Sequence, residues 1–172
     1  MMRWNLGCGT DVKDGYVNVD LKEGTGIEKK DIVRFMKSQP DETTDEIMLY
    51  DIIEHFPHGI KVNGTTEDLE YQPKFVTSLK LLEMAFEKLR PGGELRIRVP
   101  DIMWIMEKCI SGEFNWDRMV WTVFGEQNEP IDSHQTAWTE EKLNEVLNDI
   151  GYIKVKVTRE EPNLVATARK PE

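Results

Sequence analysis

Cysteine is nearly missing from this 172-residue chain: only Cys8 and Cys109 occur. Two such residues build no disulfide framework, and without a Cys-x-x-Cys pair they suggest no zinc knuckle. A reducing, cytoplasmic setting is expected. Long apolar runs are missing too: nothing approaches the roughly 18 uninterrupted apolar residues that cross a bilayer. The opening residues Met1 to Gly7 show neither the apolar run nor the cleavage site of a signal peptide. Positive charge is scarce, with 22 Lys and Arg against 32 Asp and Glu and a net charge of −10. Such a surface repels phosphate backbones and anionic lipid, so neither nucleic acid nor a membrane is expected as a partner. Arg96 and Arg98 alternate along one stretch, too few for a nucleic-acid groove. There is no internal repeat, low-complexity tract or linker, and the length suits one domain over residues 1–172.

What is present is an alternation of β-rich and helical patterns. Residues 3–6, 16–21 and 46–50 read as short strands, the last apolar enough for a buried parallel strand. Residues 31–37 predict a short strand or turn, and 57–73, rich in Gly, Asn and Pro, a long loop. Phe75, Leu79, Leu82, Phe86 and Leu89 recur at helical spacing, which predicts a helix over 74–90 ended by Pro91-Gly92-Gly93. A strand over 94–99 follows, then helices over 102–110 and 116–124. A helix over 140–149, capped by Thr139 and ended by Gly151, precedes strands 152–158 and 164–169. Strands interleaved with helices and closed by a hairpin predict an α/β fold: a Rossmann-like three-layer sandwich, mostly parallel, with one antiparallel strand near the C-terminus. In such sheets ligands bind beyond the carboxyl ends of the strands.

Gly7-Cys8-Gly9 directly follows the first strand, where glycine permits a left-handed turn and close approach of a ligand to backbone. Asp20 ends the second strand, where a carboxylate can accept the ribose hydroxyls of an adenosine. A dinucleotide site would need a third glycine at position 12, which is Val12, and an acid about 20 residues on. Neither is present, nor is a phosphate-cradling lysine motif. A glycine turn with a ribose acid, lacking the pyrophosphate glycine, suits a cofactor that carries adenosine and no phosphate. Alone, Gly7-x-Gly9 is weak evidence for a site and is readable as only a tight turn.

In order and register these segments resemble class I S-adenosylmethionine (SAM)-dependent methyltransferases, of the small methyltransferase type 11-like kind. Trp4-Asn5-Leu6-Gly7-Cys8-Gly9-Thr10 is similar to the family's first motif, and Tyr16-Val17-Asn18-Val19-Asp20 to its second strand. Asp51-Ile52-Ile53-Glu54-His55-Phe56 resembles the Glu-His segment after the fourth strand. Leu89-Arg90-Pro91-Gly92-Gly93 resembles the turn before the fifth, and Ser133-His134 through Tyr152 the family's tail. The resemblance implies a SAM-dependent methyltransferase acting on a small molecule, with sugars or glycan precursors as the family association. The alternative is a SAM-binding sensor or partner subunit without transferase activity. By position, Gly7 and Gly9 would line the methionine half of SAM, Asn5 and Cys8 would belong to the same cofactor site, and Asp20 would hold the ribose. Leu21 would pack on the adenine, Asp31 or Ile32 would meet its amino edge, and Asp51 and Ile52 would lie near the methyl group. Two departures stand out: Asp11 replaces the usual third glycine, and residues 10–15 are too few for a full first helix.

Transfer to a hydroxyl or amine also needs a base, and histidine suits neutral pH. His134, in a polar loop, and His55, at the end of the fourth strand, are the candidates; His55 is also readable as fixing its turn. Asp101 is a helix cap or a group orienting a substrate hydroxyl. Trp116, Trp121, Phe124 and Trp138 are expected mostly in the core. No metal is expected, because Glu54, Asp132 and His134 show no ligand spacing.

Overall fold

In the computed structural model, residues 1–58, 76–128 and 132–172 are described. Seven strands form one sheet in the order β3-β2-β1-β4-β5-β7-β6. They are β1 (Arg3–Leu6), β2 (Val17–Asp20), β3 (Ile27–Lys29), β4 (Thr44–Tyr50), β5 (Leu89–Pro100), β6 (Ile153–Glu160) and β7 (Asn163–Arg169). β1 to β5 run parallel, and β7 alone runs against its neighbours β5 and β6. The helices are α1 (Ile32–Ser38), α2 (Ser78–Lys88), α3 (Ile102–Ile110), α4 (Trp116–Phe124) and α5 (Glu140–Ile150). The result is an α/β sandwich with one antiparallel strand near the C-terminus, as the alternation predicts. No helix among the described residues is long and apolar enough to cross a membrane.

One face of the sheet builds the core. Trp4, Leu6, Ile47, Leu49, Leu95, Ile97, Val99 and Leu164 join buried residues of α1, α2 and α5 in a single cluster. Trp4 meets Phe35 of α1 edge-on at 5.2 Å between ring centres. Alternate residues point the other way, and those toward the middle of the sheet include several charged ones. Arg96 pairs with Glu46 at 3.2 Å and Glu94 at 2.8 Å, Arg169 with Glu94 at 2.8 Å, and the Tyr16 hydroxyl donates to Glu46 at 2.6 Å. Of the two arginines noted in the sequence, Arg96 is thus paired with acids of the sheet itself, and Arg98 pairs with Asp51 just beyond β4. Strand order explains this polarity. Right-handed crossovers place the β3–β4 and β4–β5 connections over one face and the β1–β2 and β2–β3 connections over the other. Those last two, residues 7–16 and 21–26, contain no helix, so the third layer of the sandwich is two loops at that end.

Four local readings change. Residues 32–38 form α1, not a strand or turn: Asp31 accepts from the Arg34 N–H at 2.9 Å, and Phe35 and Met36 are buried. β3 was not expected; three residues are too few to leave a periodic signal. α2 stops at Lys88, and Leu89 to Gly93 already belong to β5, with a register shift where Thr44 pairs Leu89 and Glu46 pairs Glu94. Gly92 takes φ +75°, so Pro-Gly-Gly makes an irregularity in a strand, not a helix stop. Finally, Trp138 is fully buried, but Trp116, Trp121 and Phe124 are exposed and α4 buries no residue. α3 and α4 pack on each other beyond the end of β5 and leave these aromatic rings outside the core. The expected 57–73 loop and the start of the 74–90 helix lie mainly outside the described residues.

Candidate active site

Gly7, Asp20, Asp51 and Asp101 each stand at or just beyond the carboxyl end of a parallel strand, which gathers them along one edge of the sheet. The turn after β1 is built by hydrogen bonds from β2. The N–H groups of Gly7 and Cys8 donate to the Val19 carbonyl at 2.8 and 3.3 Å. The Gly9 N–H donates to the Asp20 carboxylate at 2.8 Å, and its other oxygen accepts from the Lys22 N–H at 2.8 Å. A carboxylate has about four acceptor positions, so each Asp20 oxygen keeps one for a further donor. Gly7 and Gly9 both have positive φ, +68° and +51°. Their surroundings differ. A Cβ on Gly7 would fall 1.9 Å from Ile52 Cδ1, whereas a Cβ on Gly9 would meet nothing within 4 Å. Gly7 is therefore required by packing within the protein, and Gly9 faces open space where a ligand can reach backbone.

Two buried asparagines replace the absent first helix. Asn5 donates to the Asp11 carbonyl at 2.8 Å and to Asn18 Oδ1 at 2.9 Å. Asn18 Oδ1 also accepts from the Lys13 N–H at 2.8 Å, and its amide donates to the carbonyls of Lys13 and Tyr16. The short crossover is thereby pinned from beneath. This changes the reading of Asn5, whose amide is 3% exposed and engaged inside the protein, not turned toward a cofactor. Asn18 was missed: the alternation Val17-Asn18-Val19-Asp20 puts it on the face away from the core, where a polar residue gives no signal, and the short crossover buries it there. Cys8 is buried, and burial, with Asp20 nearby, raises its thiol above the usual range.

The adenine-side residues divide. Leu21 is exposed and free to pack on a ring. Asp31 instead caps α1, and the Ile32 side chain is buried in the core. A side-chain contact from Ile32 is therefore excluded by its packing; its backbone remains. Asp51 follows β4 with φ +54°, a conformation that Asp tolerates better than most residues. Its N–H donates to the Arg98 carbonyl at 2.8 Å and its carboxylate pairs with the Arg98 guanidinium. Ile52 lies against the core edge over Gly7.

Beyond Ile52 a single 3-10 turn, Ile53–His55, carries the second group of residues. Segment 132–136 comes to it from far along the chain. The N–H groups of Gln135 and Thr136 donate to the Glu54 carbonyl at 2.7 and 3.2 Å, and the Gln135 amide donates to the His55 carbonyl at 2.9 Å. Gly125, with φ +80°, lets this segment pass; a Cβ there would lie 2.1 Å from the Asp132 carbonyl oxygen. His55 and His134 then meet edge-on, their ring centres 5.0 Å apart. The sequence expects no metal group, but the structure brings donor atoms of Glu54, His55 and His134 within 4.8 Å of one another. Adjacent side chains diverge on a strand, but a tight helical turn allows Glu54 and His55 to converge.

Burial sets the electrostatics here. Glu54 is 2% exposed, and desolvation raises its carboxyl to about 8, with the Asp51 charge adding to the effect. Neither Glu54 oxygen has a hydrogen-bond partner among the described residues. Burial and the neighbouring His55 lower His134 below the ordinary imidazole value, so it is neutral at pH 7 and can accept a proton. A cavity of about 10 Å³, the room of one water, lies between Glu54, Val99, Ile105, Thr122, Val123 and His134. Asp101 proves to be a cap: it accepts from the N–H groups of Met103 and Trp104 and from Arg159 Nε at 2.5 Å.

The sequence matches no protein-family model and no curated protein. The fold does match known structures. A SAM-dependent methyltransferase from Archaeoglobus fulgidus superposes with a TM-score of 0.60 at 16% identity, covering 98% of this chain and 86% of that one. An O-methyltransferase family protein from Burkholderia thailandensis gives 0.59 at 14% identity, over 99% of this chain and 51% of that one. The 1,6-didemethyltoxoflavin-N1-methyltransferase of the same species, solved with its substrate and S-adenosylhomocysteine, gives 0.56 at 14% identity, over 99% and 71%. The chain thus has the class I methyltransferase fold and spans about half the length of one of these neighbours. At such identities the likeness is one of fold.

Proposed function

We propose that this protein is a SAM-dependent methyltransferase acting on a small-molecule acceptor. The observation that carries the reading is the Gly9–Asp20 arrangement. Open space over Gly9 backbone lies beside a carboxylate with acceptor capacity left, at the carboxyl edge of a sheet with the methyltransferase strand order. These residues fit an adenosine-bearing cofactor without phosphates. Asp20 would accept the ribose hydroxyls, Leu21 would cover the adenine, and the Gly7–Gly9 backbone with Asp51 and Ile52 would line the methionine half. When bound, SAM supplies an electrophilic methyl group on a sulfonium.

The protein's own duty is then to orient the acceptor, keep water away and take a proton. His134, neutral and half-buried beside the Glu54 turn, is the proton acceptor in this reading, and His55 is its neighbour across the site. A hydroxylated acceptor, such as a sugar, suits this polar edge. The two free cysteines, Cys8 and Cys109, fit a reducing, cytoplasmic compartment. The test is formation of S-adenosylhomocysteine from SAM across a panel of hydroxylated and amino acceptors. Acceptor-dependent product supports the reading, and cofactor binding with no product from any acceptor class counts against it.

A further inference from the structure

Glu54 is a buried acid whose carboxyl group is left without a partner among the described residues. It is 2% exposed, and neither carboxyl oxygen receives a hydrogen bond from the described residues. Asp101 is equally buried at 1% exposure, but it is matched by Arg159 and two backbone N–H groups. Buried acids are ordinarily satisfied as Asp101 is, because an unpaired buried polar group costs roughly 1–3 kcal/mol and a charge more. Two imidazoles, those of His55 and His134, bring donor atoms within 4.8 Å of Glu54. Neutral imidazole and carboxylate together are the donor set of zinc and of non-haem iron(II).

We propose that Glu54, His55 and His134 bind one divalent transition-metal ion. Their donor atoms lie within 4.8 Å of one another, the one such trio among the described residues. Ligand atoms held at about 2.0–2.2 Å from an ion need that spread to close by roughly an ångström, within the reach of side-chain rotation. The His55 ring is already held as a metal-binding histidine is. His55 Nδ1 lies 3.2 Å from the Ser133 carbonyl oxygen, so Nδ1 carries the proton and Nε2 keeps its lone pair. The His134 ring meets that of His55 edge-on, the ring centres 5.0 Å apart. A metal-bound histidine characteristically donates its second N–H to a carbonyl or carboxylate, which fixes ring and tautomer. The carboxylate itself is anchored through its backbone, since the Glu54 carbonyl accepts from Gln135 and Thr136.

Three protein ligands leave at least one coordination position open, the arrangement of catalytic rather than structural sites. This consequence rests on the methyltransferase reading: an acceptor oxygen at the open position would lose its proton more easily, and His134 would serve as ligand instead of base. Binding of the ion does not depend on that reading.

The experiment is a cobalt(II) titration of the chelator-treated full chain without SAM, followed by visible absorbance and then by zinc displacement. Saturation at one ion per chain is expected, with His55→Ala and His134→Ala each weakening binding about tenfold or more. His58→Ala, whose ring meets Trp138 edge-on outside the trio, should leave it unchanged. Far-UV circular dichroism confirms folding of each variant, and either histidine variant alone suffices if the other does not fold. Absence of saturable binding, or binding as tight in a folded histidine variant as in the native chain, overturns the proposal. SAM binding measured in the presence of EDTA reports separately on the methyltransferase reading.

Discussion

The Ile52 side chain occupies the space that a Cβ on Gly7 would need, with Cδ1 1.9 Å from that position. The end of β4 is thereby locked onto the turn after β1, the two places where the proposed cofactor site is assembled. Gly7→Ala meets both this clash and a left-handed φ of +68°. A left-handed non-glycine residue costs about 1–2 kcal/mol, and overpacking about 1–3 kcal/mol. Urea unfolding should therefore show a loss of about 2–5 kcal/mol for Gly7→Ala. Gly9→Ala, with nothing for its Cβ to meet, should lose only the first part while weakening SAM binding.

Asp20 serves the protein and the proposed ligand together. Its carboxylate holds the Gly9 and Lys22 N–H groups, so Asp20→Ala should lower stability by about 1–3 kcal/mol as well as weaken SAM binding at least tenfold. Asp20→Asn keeps one acceptor oxygen and should recover part of both losses. Melting temperature and calorimetric Kd, measured on the same samples, check this. A folded Asp20→Ala chain with native affinity would place the ribose elsewhere.

The helix-free crossover should be fragile at Asn18. Its side chain accepts from Asn5 and from the Lys13 N–H and donates to two carbonyls. Asn18→Ala leaves those buried groups unmatched and should cost about 2–4 kcal/mol in denaturant unfolding.

Glu54 makes stability depend on pH in a definite direction. Its carboxyl titrates near 8 in the folded chain against 4.5 as the ordinary value. The folded state therefore binds the proton more tightly than the unfolded state. The resulting stability is fully present below about 4.5 and is lost as pH rises through about 8, with a slope approaching 1.4 kcal/mol per pH unit between them. In EDTA, the melting temperature of the native chain should fall from pH 6 to pH 9. Glu54→Gln, which cannot ionise, should remove this component of the fall; an identical pH profile in the variant would contradict the burial-driven shift.

His134→Ala should lower turnover by about a hundredfold or more, in keeping with loss of a general base, and leave the Kd for SAM nearly unchanged. Equal turnover in the variant would remove His134 from the proton path.

Much of the fold was legible because its signals are local. The apolar runs of β1, β4 and β5, the Thr139 cap and Gly151 stop of α5, and the final hairpin lie where the sequence pattern puts them. α1 was obscured because the acid that caps it, Asp31, sits where an adenine contact was sought. The exposed rings of Trp116, Trp121 and Phe124 have the same spacing as core residues, and only the position of α4 beyond the sheet separates the two cases. The glycine turn and Asp20 were readable as a site because they are neighbours on adjacent strands. The meeting of His55 with Ser133 and His134 spans a separation of 78 residues and depends on Gly125 letting one segment pass close to another, which no local pattern encodes.

The central claim, a SAM site at Gly9 and Asp20, is tested most directly by calorimetric titration of the chain with SAM and S-adenosylhomocysteine, beside NAD. Micromolar binding of either sulfur compound, lost in Gly9→Ala and Asp20→Ala and absent for NAD, is the predicted result. No binding of the sulfur compounds, or binding of NAD instead, would contradict it.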